Sequence, residues 1–306
     1  KKIFQELLLL LCIFQIALTA DENKEFSIEL EDLYDQDLAV KDLKITPFDD
    51  ELTAEELVEK LGFGWNLGNT LDAWKTVGKD EGLSSETSWG NPETTKEMID
   101  SLVSKGFKAI RIPVTWRNHF VDKHYTISPE WMLRVKEIVN WCIKKDLYVI
   151  LNTHHDNAAF TNSTLDYGVG YYPLAKDLPE SERFLYNVWK QIATAFNNGY
   201  DHHLIFEGMN EPRMVGLTNE WWYLSGDKLC EESVATINQL NKLIVTAIRE
   251  TGGNNKKRFI LVTGHAASFD YTINSKFEIP ADPENPNEKR LLVSVHMYAP
   301  YTFVMH

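Results

Sequence analysis

Cysteine is scarce in this chain, which limits how far covalent cross-links could stabilise the fold. The 306 residues contain Cys12, Cys142 and Cys230, and the first of these falls in an apolar N-terminal segment. The two remaining cysteines exclude a disulfide-rich scaffold. The fold must therefore depend on a hydrophobic core, for which 43% hydrophobic residues are sufficient. The sequence leaves open whether Cys142 and Cys230 form a single bridge or are two free thiols.

Basic residues are also in short supply. Lysine and arginine number 31 against 45 aspartates and glutamates, which gives a formal net charge of −14. Nucleic-acid binding requires a basic surface, so this balance argues against such a partner. A neutral polymer such as a polysaccharide is compatible with the charge, and a solvated acidic surface explains the charge equally well.

The apolar run at residues 7–18 is shorter than the roughly 20 residues that a membrane-spanning helix needs. It follows Lys1 and Lys2, is interrupted by Gln15, and ends in small residues before Asp21. This layout predicts a secretory signal peptide at residues 1–20, and therefore a secreted protein without a membrane partner. Residues 21–50 are acidic and patternless, which indicates a linker or N-terminal arm, and residues 51–306 form the expected main domain.

Predicted strands and helices alternate along the main domain. A capping box at Thr53 and Glu56 opens a helix that runs to about residue 60, and Ser128-Pro129 opens another that runs to about residue 144. Further helices are predicted at residues 92–105, 182–196 and 227–250, and strands at residues 62–67, 107–114, 147–153, 204–209, 258–263 and 291–296. Strands this rich in branched apolar residues indicate a parallel sheet covered on both faces.

Six predicted strands fit either a doubly wound sheet or a truncated eight-stranded barrel. Two features favour the barrel. No glycine-rich phosphate loop follows the first strand, and polar residues cluster at the C-terminal end of nearly every strand. Barrel enzymes assemble their active sites at those strand ends. The predicted fold is therefore a (β/α)8 barrel with about six of its eight strand–helix units.

Polar side chains are embedded in these apolar strands. Arg111 lies between two isoleucines, and Glu207 and Glu211 lie on either side of the end of the fourth strand. Residues 64–69 read Gly-Trp-Asn-Leu-Gly-Asn, residues 152–156 read Asn-Thr-His-His-Asp, and residues 294–300 read Ser-Val-His-Met-Tyr-Ala-Pro. Buried charges are costly unless they are paired, so we expect these groups to meet in one shared site.

This ordered set resembles glycoside hydrolase family 5. The resemblance rests on Asn210-Glu211-Pro212 after the fourth strand, Arg111 on the second, and His296 and Tyr298 on the sixth. It is greatest to endoglucanases of rumen and anaerobic cellulolytic microbes, whose Gly-Trp-Asn-Leu-Gly-Asn, Ser-Trp-Gly-Asn-Pro and His-His segments recur here. The resemblance extends from about residue 62 to the last residue.

The resemblance implies a role for each site residue. Glu211 is the expected proton donor and later the base that activates water, which needs a carboxyl kept protonated by burial and a neighbouring carboxylate. Asn210 is expected to bind the sugar 2-hydroxyl. Arg111, His154, His296 and Tyr298 are expected to shape this subsite, and Asn69 and His155 to contact substrate. Glu207 is interpreted as a structural buried charge paired with Arg111.

No cofactor and no metal are expected. The run His154-His155-Asp156 invites a metal interpretation. It is disfavoured because adjacent residues on a strand point to opposite faces and zinc needs three or four convergent ligands.

Tryptophans divide into two predicted groups. Trp131, Trp141 and Trp189 fall in predicted helices and are assigned to the core. Trp74, Trp89 and Trp116 fall in loops after the first two strands, where rings can stack on the apolar faces of sugars.

A retaining glycosidase needs a second carboxylate about 5–5.5 Å from the first. The family carries it after the seventh strand, and no candidate lies between Tyr298 and the last residue, His306, while Asp156 and Asp166 lie on the third-strand side. The nucleophile is therefore expected to be a glutamate beyond His306, and the chain to be an incomplete and inactive piece of a monomeric enzyme. A docking or cellulose-binding module could lie downstream.

The complete protein is expected to hydrolyse β-1,4-glucan with retention of configuration. Xyloglucan, mixed-linkage glucan, xylan and mannan remain alternative substrates. If the chain is the whole protein, it would be a carbohydrate-binding product without activity.

Overall fold

The computed structural model describes residues 47–76, 80–157 and 170–305, which include one parallel sheet of six strands. The predicted signal peptide and all but the last four residues of the predicted arm lie outside these residues. No helix among the described residues is long and apolar enough to span a membrane. The strands are β1 (Gly64–Asn66), β2 (Ala109–Ile112), β3 (Tyr148–Asn152), β4 (Leu204–Glu207), β5 (Ile260–Ser268) and β6 (Leu291–His296).

The six strands pair in the order in which they occur along the chain, and every neighbouring pair is parallel. A doubly wound sheet reverses its strand order at a crossover in the middle of the sheet. The sequential order therefore excludes that alternative and confirms the prediction of a partial (β/α)8 barrel. Parallel pairing also brings the C-terminal ends of all six strands to one edge of the sheet.

Five of the described helices lie where the sequence predicts them, and two short ones, at residues 269–274 and 301–304, were not predicted. They are α1 (Ala54–Leu61), α2 (Lys96–Ser104), α3 (Pro129–Ile143), α4 (Leu178–Ala195), α5 (Lys228–Arg249), α6 (Phe269–Asn274) and α7 (Tyr301–Val304). The predicted capping box is formed at α1, where the Thr53 hydroxyl accepts from the Glu56 amide and the Glu56 carboxylate accepts from the Thr53 amide.

Several element boundaries differ from the sequence prediction, and helix α4, for example, begins at Leu178 and not at residue 182. Helix α2 begins at Lys96, because the Thr95 side chain caps it by accepting from the Met98 amide. Strand β5 continues five residues beyond the predicted end at Thr263. Ala266 and Ala267 adopt left-handed conformations, with φ of 52° and 50°, and pairing with β6 resumes at Ser268 after this irregularity.

Helix α1 covers the N-terminal end of the sheet. Leu57 is fully buried in a cluster with Ala109, Tyr148, Ile205 and Phe259, each of which lies at or beside the start of a strand. One end of the barrel interior is thus closed by apolar packing, and the polar residues lie at the other end.

Both Cys142 and Cys230 are buried free thiols, which settles the alternative left open by the sequence.

Candidate active site

A buried ion pair joins the second and fourth strands. Arg111 Nε donates to Glu207 Oε2 over 2.7 Å, and the Glu207 side chain is only 1% exposed. Asn152 Nδ2 donates to the same carboxylate at 2.9 Å, and Ser294 Oγ donates to its other oxygen at 2.6 Å. Glu207 is therefore held by groups from β2, β3 and β6, which confirms its predicted pairing with Arg111.

Arg111 also reaches the first strand and the segment after the fourth. Its Nη1 donates to Asn66 Oδ1 at 3.1 Å, and its Nη2 donates to Asn210 Oδ1 at 2.7 Å. A side chain at Gly68 would approach Asn66 Nδ2 to 2.7 Å, so glycine at this position leaves room for that amide. Because the Asn210 amide oxygen accepts from Arg111, its Nδ2 is the group available to donate to a ligand.

Glu211 lies beyond β4 with its carboxylate towards β6. Its Oε1 is 2.7 Å from His296 Nδ1, and its side chain is 14% exposed. Arg213 Nη1 donates to the Glu211 main-chain oxygen at 3.0 Å and lies 3.9 Å from Oε2. The Arg213 guanidinium in turn lies 4.0 Å from the centre of the Trp221 ring and binds Glu220.

The surroundings of Glu211 are cationic. Burial alone would raise the pKa of its carboxyl, but the hydrogen bond from His296 and the charges of His296, Arg213 and Arg111 outweigh burial and lower the pKa. The sequence predicted instead a carboxyl kept protonated by burial and a neighbouring carboxylate. The difference arises because the groups that shift the Glu211 pKa most, apart from burial, are positively charged.

His154 is held as a neutral imidazole in one tautomer. Burial, followed by the charges of His155, Arg111 and His296, lowers its pKa well below the usual histidine range. The Asn152 amide nitrogen lies 3.0 Å from His154 Nδ1, while Asn152 Oδ1 accepts from the Val114 amide. Since Asn152 Nδ2 can only donate, Nδ1 of His154 accepts, and the ring proton lies on Nε2.

Tyr298 completes the sixth-strand side of the site. Its ring centre is 6.4 Å from that of His296, and half of the side chain is exposed. Burial and the nearby Glu211 charge raise the pKa of the Tyr298 hydroxyl, and Arg111 opposes them. The structure therefore places Arg111, His154, Asn210, Glu211, His296 and Tyr298 around one region, as predicted.

The expected nucleophile is the one predicted catalytic group that the described residues do not include. It was predicted to lie beyond His306, and His306 itself lies outside the described residues. Asp166, one of the two aspartates weighed as a substitute, also lies outside them, and Asp156 is fully buried. The position of the nucleophile after His306 therefore stays a prediction.

Two further substrate contacts were predicted, at His155 and Asn69. His155 is one-third exposed, and its Nε2 is 3.7 Å from Asp72 Oδ2. Asn69 lies on the loop after β1 in a left-handed conformation with φ of 58° and is partly exposed. Among the described residues, Asn69 makes no hydrogen bond to the network around Arg111.

An aromatic wall, formed by Trp74 and Trp89, stands beside His155. The ring centre of Trp89 is 5.9 Å from that of Trp74 and 5.4 Å from that of His155, and Trp89 is 40% exposed. Trp89 Nε1 donates to the Trp74 main-chain oxygen at 2.7 Å, which fixes the indole plane. Asn91 Nδ2 donates to the Gly68 oxygen at 2.9 Å, so this loop is tied to the end of β1.

Trp116 was predicted to line a subsite, and that prediction is wrong. The ring is fully buried, and Nε1 donates to the Asn152 main-chain oxygen at 2.9 Å. Trp116 therefore supports β3 from the core side. The prediction of core positions for Trp131 and Trp189 is confirmed, since both are almost completely buried, whereas Trp141 is only partly buried.

The side chains that converge near His154 are not those of the run His154-His155-Asp156. Asp72, His154 and His155 each offer a ligand atom within 4.8 Å of the others. Asp156 points away, is fully buried, and accepts from the Trp116 and Arg117 amides at 3.0 and 2.7 Å. Burial raises the pKa of Asp156 to about 6. Both histidines reach Asp72 because they follow the end of β3, where strict alternation no longer holds.

Sequence reasoning assigned no role to Asn152 and Ser294, and it missed Arg213 and Asp72 altogether. Ser294 carried a usable signal, because it precedes His296 by two residues on the same strand and so shares its face. Asn152 pairs in register with Glu207, which sequence alone could have suggested once the strands were aligned. Arg213 and Asp72 lie in loops, and their approach to Glu211 and His155 depends on loop paths without a periodic signal.

Comparison with protein families and curated proteins gives a consistent result. Residues 75–306 match the family model described as Cellulase (glycosyl hydrolase family 5). The chain is 44% identical over 255 residues to Endoglucanase B of Ruminococcus albus, which covers 83% of this chain and 55% of that protein. It is 43% identical over 255 residues to Endoglucanase A of Clostridium longisporum, with 83% and 45% covered. The chain thus spans about half the length of the curated relatives it matches.

Solved structures with the same fold include two sugar complexes. One is a glycoside hydrolase 5 lichenase from Caldicellulosiruptor sp. F32 with cellotetraose, at a TM-score of 0.74 and 40% identity, covering 85% of this chain and 66% of that chain. Another is a GH5-4 broad specificity endoglucanase from Ruminococcus champanellensis with bound cellotriose. Its TM-score is 0.73 at 41% identity, covering 84% of this chain and 69% of that chain.

Proposed function

Because the chain belongs to glycosyl hydrolase family 5, we propose that the complete protein hydrolyses internal β-1,4 linkages of glucan with retention of configuration. The observation that carries this proposal is the Glu211 carboxylate, which is partly exposed beyond β4 and bound by His296. The endoglucanase relatives and the cello-oligosaccharide complexes of similar structures support the substrate class. The net charge of −14 is compatible with a neutral polymer and unfavourable for nucleic acid.

Glu211 is the proposed acid and base. In the first step it would donate a proton to the leaving glycosidic oxygen, and in the second it would take a proton from water. His296 Nδ1, at 2.7 Å, orients the carboxylate, and Arg213 fixes the main chain beside it. Since these cations lower the Glu211 pKa, protonation before catalysis requires a second carboxylate charge close to Glu211 in the complete site.

That second carboxylate is the proposed nucleophile, and we assign it to a segment beyond His306. The described carboxylates near the site are already engaged: Glu207 by Arg111, Asn152 and Ser294, and Asp72 by the Thr70 amide. We therefore also propose that residues 1–306 alone lack hydrolytic activity. Adding the following strand–helix units should restore it, and full activity of the isolated chain would contradict this part of the proposal.

The remaining groups are assigned to the sugar at the cleavage point. Asn210 offers Nδ2 to the sugar 2-hydroxyl, because Arg111 occupies its oxygen. His154 offers an Nε2–H donor, and Tyr298 offers its hydroxyl. The aromatic wall and His155 would bind a sugar further along the chain by stacking on its apolar face. Asn69, on the loop after β1, is proposed as a peripheral contact.

Substitution Glu211→Gln tests the proposal. The amide cannot donate or accept the required proton, so kcat on soluble β-glucan should fall by about 10²- to 10⁴-fold in the complete protein, with a smaller change in KM. An aryl cellobioside whose leaving group needs no proton should keep a rapid first step and then accumulate the glycosyl-enzyme intermediate. Burst kinetics and mass spectrometry of the trapped intermediate provide the measurement.

A matched control is Glu59→Gln, which removes an exposed carboxylate on α1 at the opposite end of the sheet. This variant should keep the wild-type kcat. Turnover of soluble glucan at the wild-type rate by Glu211→Gln would remove Glu211 from the catalytic role. Loss of binding as well as turnover would favour a structural role.

The choice among glucan, xyloglucan, mixed-linkage glucan, xylan and mannan is a narrower proposal. We favour β-glucans, because the named relatives are endoglucanases and one similar structure is a lichenase. Initial rates on the five polymers at equal mass concentration would decide it. A protein that retains these polymers on affinity gels without releasing reducing ends would instead be a carbohydrate-binding protein.

We also propose that the protein is secreted and acts as a monomer on its polymeric substrate. The support for secretion is the layout of residues 1–20, with two lysines, an apolar run and small residues before Asp21. N-terminal sequencing of protein from culture medium should find a start near residue 21. Size-exclusion chromatography with light scattering tests the monomer, and mass spectrometry of the intact chain would reveal a docking or cellulose-binding module.

A further inference from the structure

A histidine-containing turn lies at the end of the sheet opposite Glu211. Asp201, His202 and His203 immediately precede β4, which begins at Leu204. The ring centres of the two histidines are 4.5 Å apart, so both rings lie on the same side of the turn. The proposed hydrolysis uses none of these three residues.

The three side chains already converge. Asp201, His202 and His203 each offer a ligand atom within 4.8 Å of the others. His203 Nδ1 lies 3.0 Å from Asp201 Oδ1, which is close to the spacing of about 3.3 Å between two ligands on one tetrahedral zinc ion. His203 Nε2 lies 3.4 Å from Asp146 Oδ1. A metal on Nδ1 would therefore leave Nε2–H directed at a carboxylate, the usual outer partner of a metal-bound imidazole.

His202 provides an independent sign of a missing ligand. The residue is only 9% exposed, and its Nδ1 has no hydrogen-bond partner among the described residues. The ring is packed near Phe48 and Tyr148, both at 6.3 Å between centres, which leaves its orientation little freedom.

The local charge favours a cation. Asp201 lies in the turn itself, and Asp146, in the loop before β3, lies with its Oδ1 3.4 Å from His203 Nε2. Arg258, although close, donates to the Asp201 main-chain oxygen at 2.8 Å, and the Asp201 carboxylate accepts from the His203 main-chain amide at 2.9 Å.

We propose that the turn formed by Asp201, His202 and His203 binds a divalent transition-metal ion, with Zn²⁺ as the representative probe. One carboxylate and two imidazoles are a common donor set for this class of ion, and water would complete the coordination. Asp201 and His203 are already at ligand spacing, and His202 offers a ligand atom within 4.8 Å of both. The ion would order the turn before β4, and Asp146, in the loop before β3, would support it as the outer partner of His203.

The test is Zn²⁺ binding to the intact protein after treatment with a chelator. Because Asp72, His154 and His155 also converge, the measurement is made in parallel on the wild type and on His155→Asn. Isothermal titration calorimetry should give one tight site in both proteins. His202→Asn and His203→Asn should each weaken that site by about 10- to 100-fold or more. Saturating Zn²⁺ should raise Tm by roughly 5 °C in the wild type.

Circular dichroism in chelator shows whether each variant is folded. If a variant does not fold, wild-type crystals grown with Zn²⁺ decide the question through the position of the anomalous-scattering peak. A peak among Asp201, His202 and His203 supports the proposal. A peak at Asp72, binding lost in His155→Asn but kept in His203→Asn, or no tight site at all would overturn it.

Discussion

Two glutamates four residues apart show how the contacts of a carboxylate determine its chemical use. Glu207 is almost fully buried and accepts from Arg111, Asn152 and Ser294, so its lone pairs are occupied. Glu211 accepts from His296 and remains partly exposed. The first holds strands together, and the second has an oxygen that is accessible to a ligand.

Substitution Glu207→Gln should destabilise the protein by about 3–5 kcal/mol, because it leaves the Arg111 charge buried without a counter-charge. Urea unfolding monitored by tryptophan fluorescence provides the measurement. The double variant Glu207→Gln with Arg111→Gln should be less destabilised than the sum of the two single variants. Additive losses would indicate that packing, and not the unpaired charge, determines the cost.

The sequence predicted most of the site at the scale of residues. Charges and amides inside apolar strands had to find partners, which identified Arg111, Glu207, Asn210 and His296 as neighbours. It could not predict that Glu211 would lie among cations that lower its pKa. That property depends on Arg213, whose position follows from the path of a loop.

At the scale of elements, β5 departs most from a regular strand. Its irregular stretch between Thr263 and Ser268 contains Gly264, His265 and two alanines with positive φ. A side chain at Gly264 would approach Thr272 Oγ1 to 2.6 Å, so glycine lets α6 pack close to the strand. His265 lies in this irregular stretch and is only 1% exposed.

His265 should make the protein sensitive to acid. Burial, with help from the Arg213 charge and partly opposed by the Glu220 main chain, lowers its pKa to about 4. An unfolded histidine titrates near 6.5, so between these values the unfolded chain binds a proton that the folded chain does not. Stability is therefore fully present above about pH 6.5 and falls as the pH falls towards 4, by up to about 3 kcal/mol.

Thermal or urea unfolding of wild type and His265→Asn across pH 4–7.5 would measure this effect. The wild type should lose stability relative to the variant as the pH falls through that range. Parallel pH profiles for the two proteins would contradict the assignment to His265. Circular dichroism at pH 7.5 serves as the control that the variant adopts the native fold.

Helices and strands were predictable where a capping motif or a periodic pattern of apolar residues marks them in the sequence. Thr53 and Glu56 were sufficient to predict α1, and the alternation of buried strands with amphipathic helices was sufficient to predict the sequence of elements along the chain. The extension of β5 was not predictable, because alanine carries no preference for positive φ and only tertiary packing imposes that conformation.

At the scale of the whole molecule, stability and chemistry are assigned to opposite ends of the sheet. Helix α1 inserts Leu57 among the strand starts, and Arg290 Nη1 donates to the Leu52 main-chain oxygen at 3.0 Å to hold the segment before it. The polar network occupies the other end. Changes at one end should therefore leave the other largely unaffected.

Substitution Leu57→Ala should reduce the free energy of unfolding by about 2–5 kcal/mol, because it opens a cavity in the closed end. The kcat of the complete protein, measured well below its new Tm, should stay at the wild-type value. Val58→Ala is the matched control on the same helix, since that side chain is 54% exposed and should cost about 0.5 kcal/mol or less. A large fall in kcat for Leu57→Ala would show that the two ends are coupled.

The barrel itself was predictable from the absence of a phosphate loop and the polar strand ends, and sequential pairing removed the doubly wound alternative. Which loop side chains reach the site was not predictable, because their positions depend on contacts between segments far apart in the chain.

Asn152 would govern how the proposed site recognises a sugar without contacting the sugar itself. Its amide has protons to give, and it gives them to Glu207 and to the inner nitrogen of His154. An aspartate at position 152 would have none to give. The proton of the His154 ring would then lie on Nδ1, and Nε2 would present a lone pair to the ligand. Exchanging one atom behind the ring would therefore convert the ligand-facing nitrogen from a donor into an acceptor.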